Sequence, residues 1–234
     1  MIQNKTVTKK LIIIACAALI AFFPAWIFTG NPLLSLLIGM VNMILQVVLL
    51  NSFPTVWHKG PGRSPNPAVI FFTGLSGSGK TTVARALIIK LQQRGIEPVF
   101  LDGDEIRQAI KQTGFDEQSR KNHNLNVGYM ASILEAQGHF VVVALIAPYE
   151  ETRNTIRKMC KNFKEIYVAT PLEVCISRDT KGLYQKAVKG EIQEFTGISA
   201  PYSPPKYPEV IINTARQSVD ESVGLILKAL DTNS

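Results

Sequence analysis

Along this chain the pattern of apolar and polar positions changes character once, near residue 67. Before that point the apolar runs are long. Leu11 to Thr29 (LIIIACAALIAFFPAWIFT) holds no charge over 19 residues, and after Gly30-Asn31-Pro32 a second run, Leu33 to Leu50, adds 18 more, interrupted by Ser35, Asn42 and Gln46. As helices these runs would each be roughly 27–28 Å long, close to the ~30 Å thickness of bilayer hydrocarbon. Gly-Asn-Pro is a turn signal, so the pattern predicts a transmembrane helical hairpin over 11–50, following a short N-terminus, 1–10. Pro24 would kink the first helix, which membrane helices tolerate. The rival readings are a cleaved signal peptide with Leu11–Ala21 as its apolar segment, and a hairpin buried within protein. Residues 51–66 (NSFPTVWHKGPGRSPN) are rich in Pro and Gly and read as a linker to a domain over 67–234.

Beyond the linker the apolar runs shorten and alternate with segments of helical spacing. Ala68–Thr73, Pro98–Leu101, Phe140–Ile146, Glu165–Ala169 and Val210–Ile212 read as strands, and Val83–Gln93 as a helix. Strand and helix repeated in this way predict an α/β fold with a parallel sheet flanked by helices, preceded by the two transmembrane helices. Ligands of such sheets bind beyond the carboxyl ends of the strands.

Charge refines this division. The chain has 234 residues with 25 Lys+Arg against 18 Asp+Glu, net +7, but residues 1–63 carry Lys5, Lys9, Lys10, Lys59 and Arg63 and no acid. Subtracting those five leaves 20 basic and 18 acidic groups in the remainder, a balance of +2. The excess brackets the hairpin, so the positive-inside rule predicts an inner-membrane, multi-pass protein with the domain and both termini in the cytoplasm. A nearly neutral domain without a basic stripe excludes a nucleic-acid partner. The cysteines, Cys16, Cys160 and Cys175, have neither disulfide-framework nor zinc spacing and read as reduced thiols.

The chemistry concentrates at predicted strand ends. The first strand runs into Gly74-Leu75-Ser76-Gly77-Ser78-Gly79-Lys80-Thr81-Thr82, the G-x-x-x-x-G-K-[ST] phosphate loop in its strand–loop–helix setting. Its glycines allow successive backbone N–H groups to face one anion at a helix N-terminus. Lys80 would reach the β- and γ-phosphates of ATP, and the Thr81 hydroxyl would ligate Mg²⁺. The second strand ends in Leu101-Asp102-Gly103-Asp104-Glu105-Ile106-Arg107. One carboxylate would orient or deprotonate an acceptor hydroxyl or hold the metal's water shell, and Arg107 would grip an anionic substrate. After the third strand comes Ala147-Pro148-Tyr149-Glu150-Glu151-Thr152-Arg153. The basic, aromatic and Pro-rich segment from Arg178 to beyond Tyr202 reads as a mobile lid.

GLSGSGKTT, LDGDEIR, GFDEQSR, APYEETR, TPLEVCISRDTKGLY and EFTGISAPYSPPKYPE stand in the order and spacing of the adenylyl-sulfate (APS) kinases, a family of the P-loop NTPase fold. The sequence resembles that family over roughly Pro67 to Asp231. The resemblance implies transfer of the ATP γ-phosphate to the 3′-hydroxyl of APS, giving 3′-phosphoadenylyl sulfate in sulfate assimilation. It implies that Gly74–Thr82 hold ATP, that Lys80, Asp102 and Asp104 are catalytic, and that Thr81 and Asp102 hold Mg²⁺. Arg107 and Arg120 match arginines that bind the phosphosulfate region, and Lys181 and Phe195 match lid residues that close on substrate. APS is the expected small-molecule partner and a homodimer the expected assembly. Three positions depart from the family pattern. Ala147 replaces a serine often phosphorylated, Glu150 replaces an arginine, and His123 stands where a substrate-contacting asparagine is expected. The alternatives are a kinase of another nucleotide-linked or sugar hydroxyl, and a non-catalytic nucleotide-binding regulator.

Overall fold

A computed structural model describes residues 66–110 and 114–231, all within one compact unit, Pro61–Ser234. Five strands, β1 (Val69–Thr73), β2 (Val99–Asp102), β3 (Val141–Ala144), β4 (Phe163–Val168) and β5 (Val210–Ile212), form one sheet in the order β2-β3-β1-β4-β5. Every pairing is parallel, with Val69 beside both Val141 and Phe163. Central strands of such a sheet are covered on both faces, which is why β1 (VIFFT) and β3 (VVVA) are apolar throughout instead of alternating.

Two apolar layers result. Ile70, Phe72 and Val142 point to one face and pack with Leu87 of α1 (Lys80–Gln93) and Ile226 of α7 (Val219–Asp231). Val69, Phe71, Val141 and Val143 point to the other and pack with Val127 of α3 (Glu117–Ala136) and Ile156 of α4 (Glu150–Met159). Three short helices, α2 (Gly103–Ala109), α5 (Leu172–Arg178) and α6 (Leu183–Val188), lie at or after strand carboxyl ends. The helices α3 and α4 cross closely: a Cβ at Gly128 would lie 2.5 Å from Ile156 Cγ1, so only glycine permits this approach. Helix α3 starts where Asp116 accepts a hydrogen bond from Ser119 N at 2.9 Å, an acidic N-cap.

The parallel α/β architecture agrees with the sequence reading. The localisation does not. A multi-pass inner-membrane protein with cytoplasmic termini was expected, and among the described residues no helix is long and apolar enough to cross a membrane. The hairpin over 11–50 and the linker over 51–66, apart from Asn66, lie outside the described residues.

Candidate active site

The phosphate loop leaves β1 and enters α1 as a backbone cradle. Gly74, Gly77 and Gly79 have φ of 151°, 71° and 97°, and a Cβ on Gly74 would sit 2.7 Å from the carbonyl oxygen of Val168. A side chain there is therefore excluded by both conformation and space. The loop's carbonyls are tied down from outside. Ser78 O accepts from Thr170 Oγ1 at 3.0 Å and Thr214 Oγ1 at 2.8 Å, and Ser76 O from the Tyr184 hydroxyl at 3.0 Å. Arg178 donates to Gly77 O at 3.3 Å and to both oxygens of Thr214. Within the loop Ser78 N donates to Leu75 O at 3.2 Å, and Ser76, Gly77 and Gly79 to Thr82 border the cavity.

Lys80 folds back over the loop, its ammonium donating to Leu75 O at 2.7 Å. Although the side chain is partly open to the cavity, crowding by protein atoms pushes its pKa down to about 8; the charge of Asp104 opposes that shift. An incoming phosphate supplies the anion this ammonium lacks. Thr81 Oγ1 donates to Asp102 Oδ2 at 3.1 Å, and Asp102 Oδ1 caps α2 by accepting from Asp104 N at 2.9 Å. Capping fixes the buried Asp102 in place while leaving Asp104 exposed. Among the described residues no group of three or more His, Cys, Asp or Glu could hold a metal. One hydroxyl beside one carboxylate, completed by phosphate oxygens and water, is the donor set Mg²⁺ takes in nucleotide sites. The residues present fit that ion.

A cavity of about 770 Å³ extends from this loop. It runs past Asp102, Asp104, Arg107, Arg120 and His123 to the lid residues Lys181, Phe195 and Thr196. The structure thus brings together, in one cavity, residues separated by more than 100 positions in the chain. Lys181 pairs with Asp104 across the mouth. Arg107 donates to Gly114 O at 2.8 Å and lies 4.9 Å over the Phe115 ring; burial lowers its pKa. Arg120 donates to Glu194 O at 2.6 Å and Thr196 Oγ1 at 3.0 Å. Phe195 packs edge-on against Tyr184 at 5.0 Å. Two guanidinium groups and a half-open aromatic ring thus line the same cavity as Lys80's loop. That composition suits an anionic, ring-bearing acceptor.

The model of the adenylylsulphate kinase family matches residues 66–213, which include every residue of this cavity named so far except Thr214. The chain belongs to that family. An adenylyl-sulfate kinase from Synechococcus sp. (strain JA-3-3Ab) is 45% identical over 162 residues, 69% of this chain and 92% of that one. The Mycobacterium tuberculosis APS kinase CysC, solved in complex with AMPPNP and APS, is 38% identical with a TM-score of 0.68, covering 72% of this chain and 99% of that one. A hexameric APS kinase from Thiobacillus denitrificans is 31% identical with a TM-score of 0.56, over 75% of this chain and 31% of that one.

Against this family background the three departures occupy different places. Glu150 lies outside the cavity lining and pairs with Lys206 at 3.2 Å, so its reversed charge does not face the ligand space. Ala147 does line the cavity. Its φ of 43° is a left-handed conformation that costs an alanine about 1 kcal/mol or more. His123 also lines the cavity and is only 2% exposed; burial and the Arg107 charge push its pKa down to about 4, leaving a neutral ring held by a backbone hydrogen bond with Gly103. Sequence reading gave no role to Thr170 and Thr214 and placed Arg178 and Tyr184 in a mobile lid, yet all four brace the phosphate loop. Their signal was weak because each acts on a backbone carbonyl far away in sequence.

Proposed function

We propose that this chain is an ATP-dependent kinase that phosphorylates the 3′-hydroxyl of APS, giving 3′-phosphoadenylyl sulfate and ADP. The reading is carried by one observation. A single cavity joins a complete phosphate loop to a carboxylate pair and two arginines, within a chain of the adenylylsulphate kinase family. Lys80 and the backbone of Gly74–Thr82 hold the triphosphate, and Thr81 with Asp102 would hold Mg²⁺, which when bound neutralises charge on the phosphate oxygens. Asp104, exposed at the cavity and uncommitted to capping, accepts the proton of the attacking hydroxyl. The new bond forms between that oxygen and the γ-phosphorus, and the bond from γ-phosphorus to the β–γ bridging oxygen breaks, releasing ADP. Arg107 and Arg120 fix the phosphosulfate end of the acceptor, and Phe195 and Lys181 close over it. The protein does little covalent work; positioning and charge neutralisation supply the rate.

The test is ADP release by the full chain with ATP and Mg²⁺, offered APS and then a panel of other nucleotide and sugar hydroxyls. Turnover on APS that vanishes in Lys80→Ala supports the reading. Efficient turnover only on a different acceptor would replace the substrate and keep the kinase, whereas no ADP release with any acceptor would leave a nucleotide-binding regulator. Sedimentation velocity of the same preparation tests the homodimer.

A further inference from the structure

Ala147 and its neighbours form a wall of the cavity in a backbone conformation that alanine disfavours. Something must hold them there, and the structure shows a buried group placed to do so. Arg153, in the first turns of α4, is 2% exposed and does not border the cavity. Its guanidinium makes three contacts in different directions. Nη1 donates to Ala147 O at 2.8 Å, Nη2 to Ser203 O at 2.7 Å, and Nε lies 2.8 Å from Glu165 Oε1 on β4. Ser203 in turn donates its N–H to Pro148 O at 2.9 Å. Beside it, the Tyr202 hydroxyl shares a hydrogen bond of 2.9 Å with Thr73 Oγ1, which donates to Ile146 O at 2.7 Å. Two backbone segments are therefore fastened through one planar cation: the cavity wall 146–148, and the root of the segment that carries Phe195 and Thr196.

We infer that Arg153, oriented by Glu165, is a positioning residue for the acceptor half of the site: its guanidinium fork holds the wall at Ala147 and the lid root at Ser203 in register. The inference rests on the function proposed above. A lysine at 153 would still neutralise Glu165, but as a point charge it lacks the fork that reaches two carbonyls in different directions. That difference separates positioning from plain support of the fold.

The experiment compares wild type with Arg153→Lys in the full chain, measuring KM for APS and for ATP, the melting temperature, and hydrogen exchange at the Ser203 amide without ligand. Absence of wild-type turnover on APS would refute the function proposed above, while the exchange measurement would still report on the clamp. The expected result is a KM for APS raised about tenfold, equivalent to ~1.4 kcal/mol. The KM for ATP should move less than about twofold, and the Ser203 amide should exchange faster. Unchanged KM for APS, or equal shifts in both KM values, would overturn the inference, as would unaltered exchange. If Arg153→Lys does not fold, Tyr202→Phe tests the same fastening through its hydroxyl. It should raise the KM for APS about threefold, the loss of one hydrogen bond, and no rise would refute the clamp.

Discussion

The two ends of the cavity are built on opposite plans. At the nucleotide end, consecutive residues, Gly74–Thr81, present backbone donors. The surroundings brace that backbone by occupying its carbonyls, with Thr170 and Thr214 on Ser78 and Tyr184 on Ser76. At the acceptor end, side chains from α2, α3, the turn after β3 and the lid converge, and each arginine is engaged by a carbonyl that a ligand would have to displace. Arg107 holds Gly114 O and Arg120 holds Glu194 O. The first end is braced around consecutive residues; the second is assembled across the fold, with its arginines held by Gly114 O and Glu194 O. Affinity for ATP should then be insensitive to changes at Thr196, which touches Arg120 and not the phosphate loop, and affinity for the acceptor sensitive to them.

The comparison can be broken most severely at the nucleotide end. Lys80→Ala should lower kcat by about 10³-fold, as removal of a charge-stabilising donor does, with the fold intact by circular dichroism. At the other end, Arg120→Ala should raise the KM for APS by roughly 10–100-fold, the loss of hydrogen bonds to a charged group. It should leave the KM for ATP within about twofold in the same steady-state assay. A comparable rise in both would mean that the two ends are not independent.

A smaller effect comes from pH. The pKa of Lys80 is lowered from 10.5 to about 8, so ATP affinity measured by calorimetry should be flat below pH 8 and weaken above it, by at most about tenfold per pH unit for one proton. Without nucleotide the sign for stability is opposite. Between pH 8 and 10.5 the unfolded chain binds more protons than the folded one, so this lysine's contribution to stability rises with pH through that window. The smallest effect is expected at Glu150→Arg. Because that carboxylate pairs with Lys206 outside the cavity, kinetic constants should stay within about twofold of wild type.

The same contrast explains what could be read from the amino-acid order. The phosphate loop was legible whole, because a backbone cradle needs particular residues at particular spacings. Strand β5 was located at its observed limits, Val210–Ile212, and β1 to within one residue. For β3 the apolar run Phe140–Ile146 overreached: the strand ends at Ala144, and Leu145 and Ile146, although Leu145 N still donates to Phe72 O at 3.1 Å, form the cavity wall. Apolarity reports burial in either setting and does not separate strand from wall. Arg107 was legible from its place after β2, but Arg120 only through family resemblance, since nothing local there says that Glu194 and Thr196 fold onto it. Arg153 was legible as part of a motif, yet its role was hidden, because two of its three partners are backbone carbonyls, which leave no mark on composition.

Gly128 gives the acceptor end a mechanical weakness. The crossing of α3 and α4 at Ile156 is a fulcrum, and Arg120 sits eight positions away along α3, about 12 Å of helix. Adding one methyl group at that fulcrum demands roughly 1 Å more separation, because Ile156 Cγ1 would lie only 2.5 Å from it. A rigid rod tilted at its pivot moves most at its tip, so a change that touches no ligand would swing the guanidinium away from the acceptor. Leverage of this kind makes a buried glycine in the apolar layer as consequential for substrate choice as a charge in the cavity.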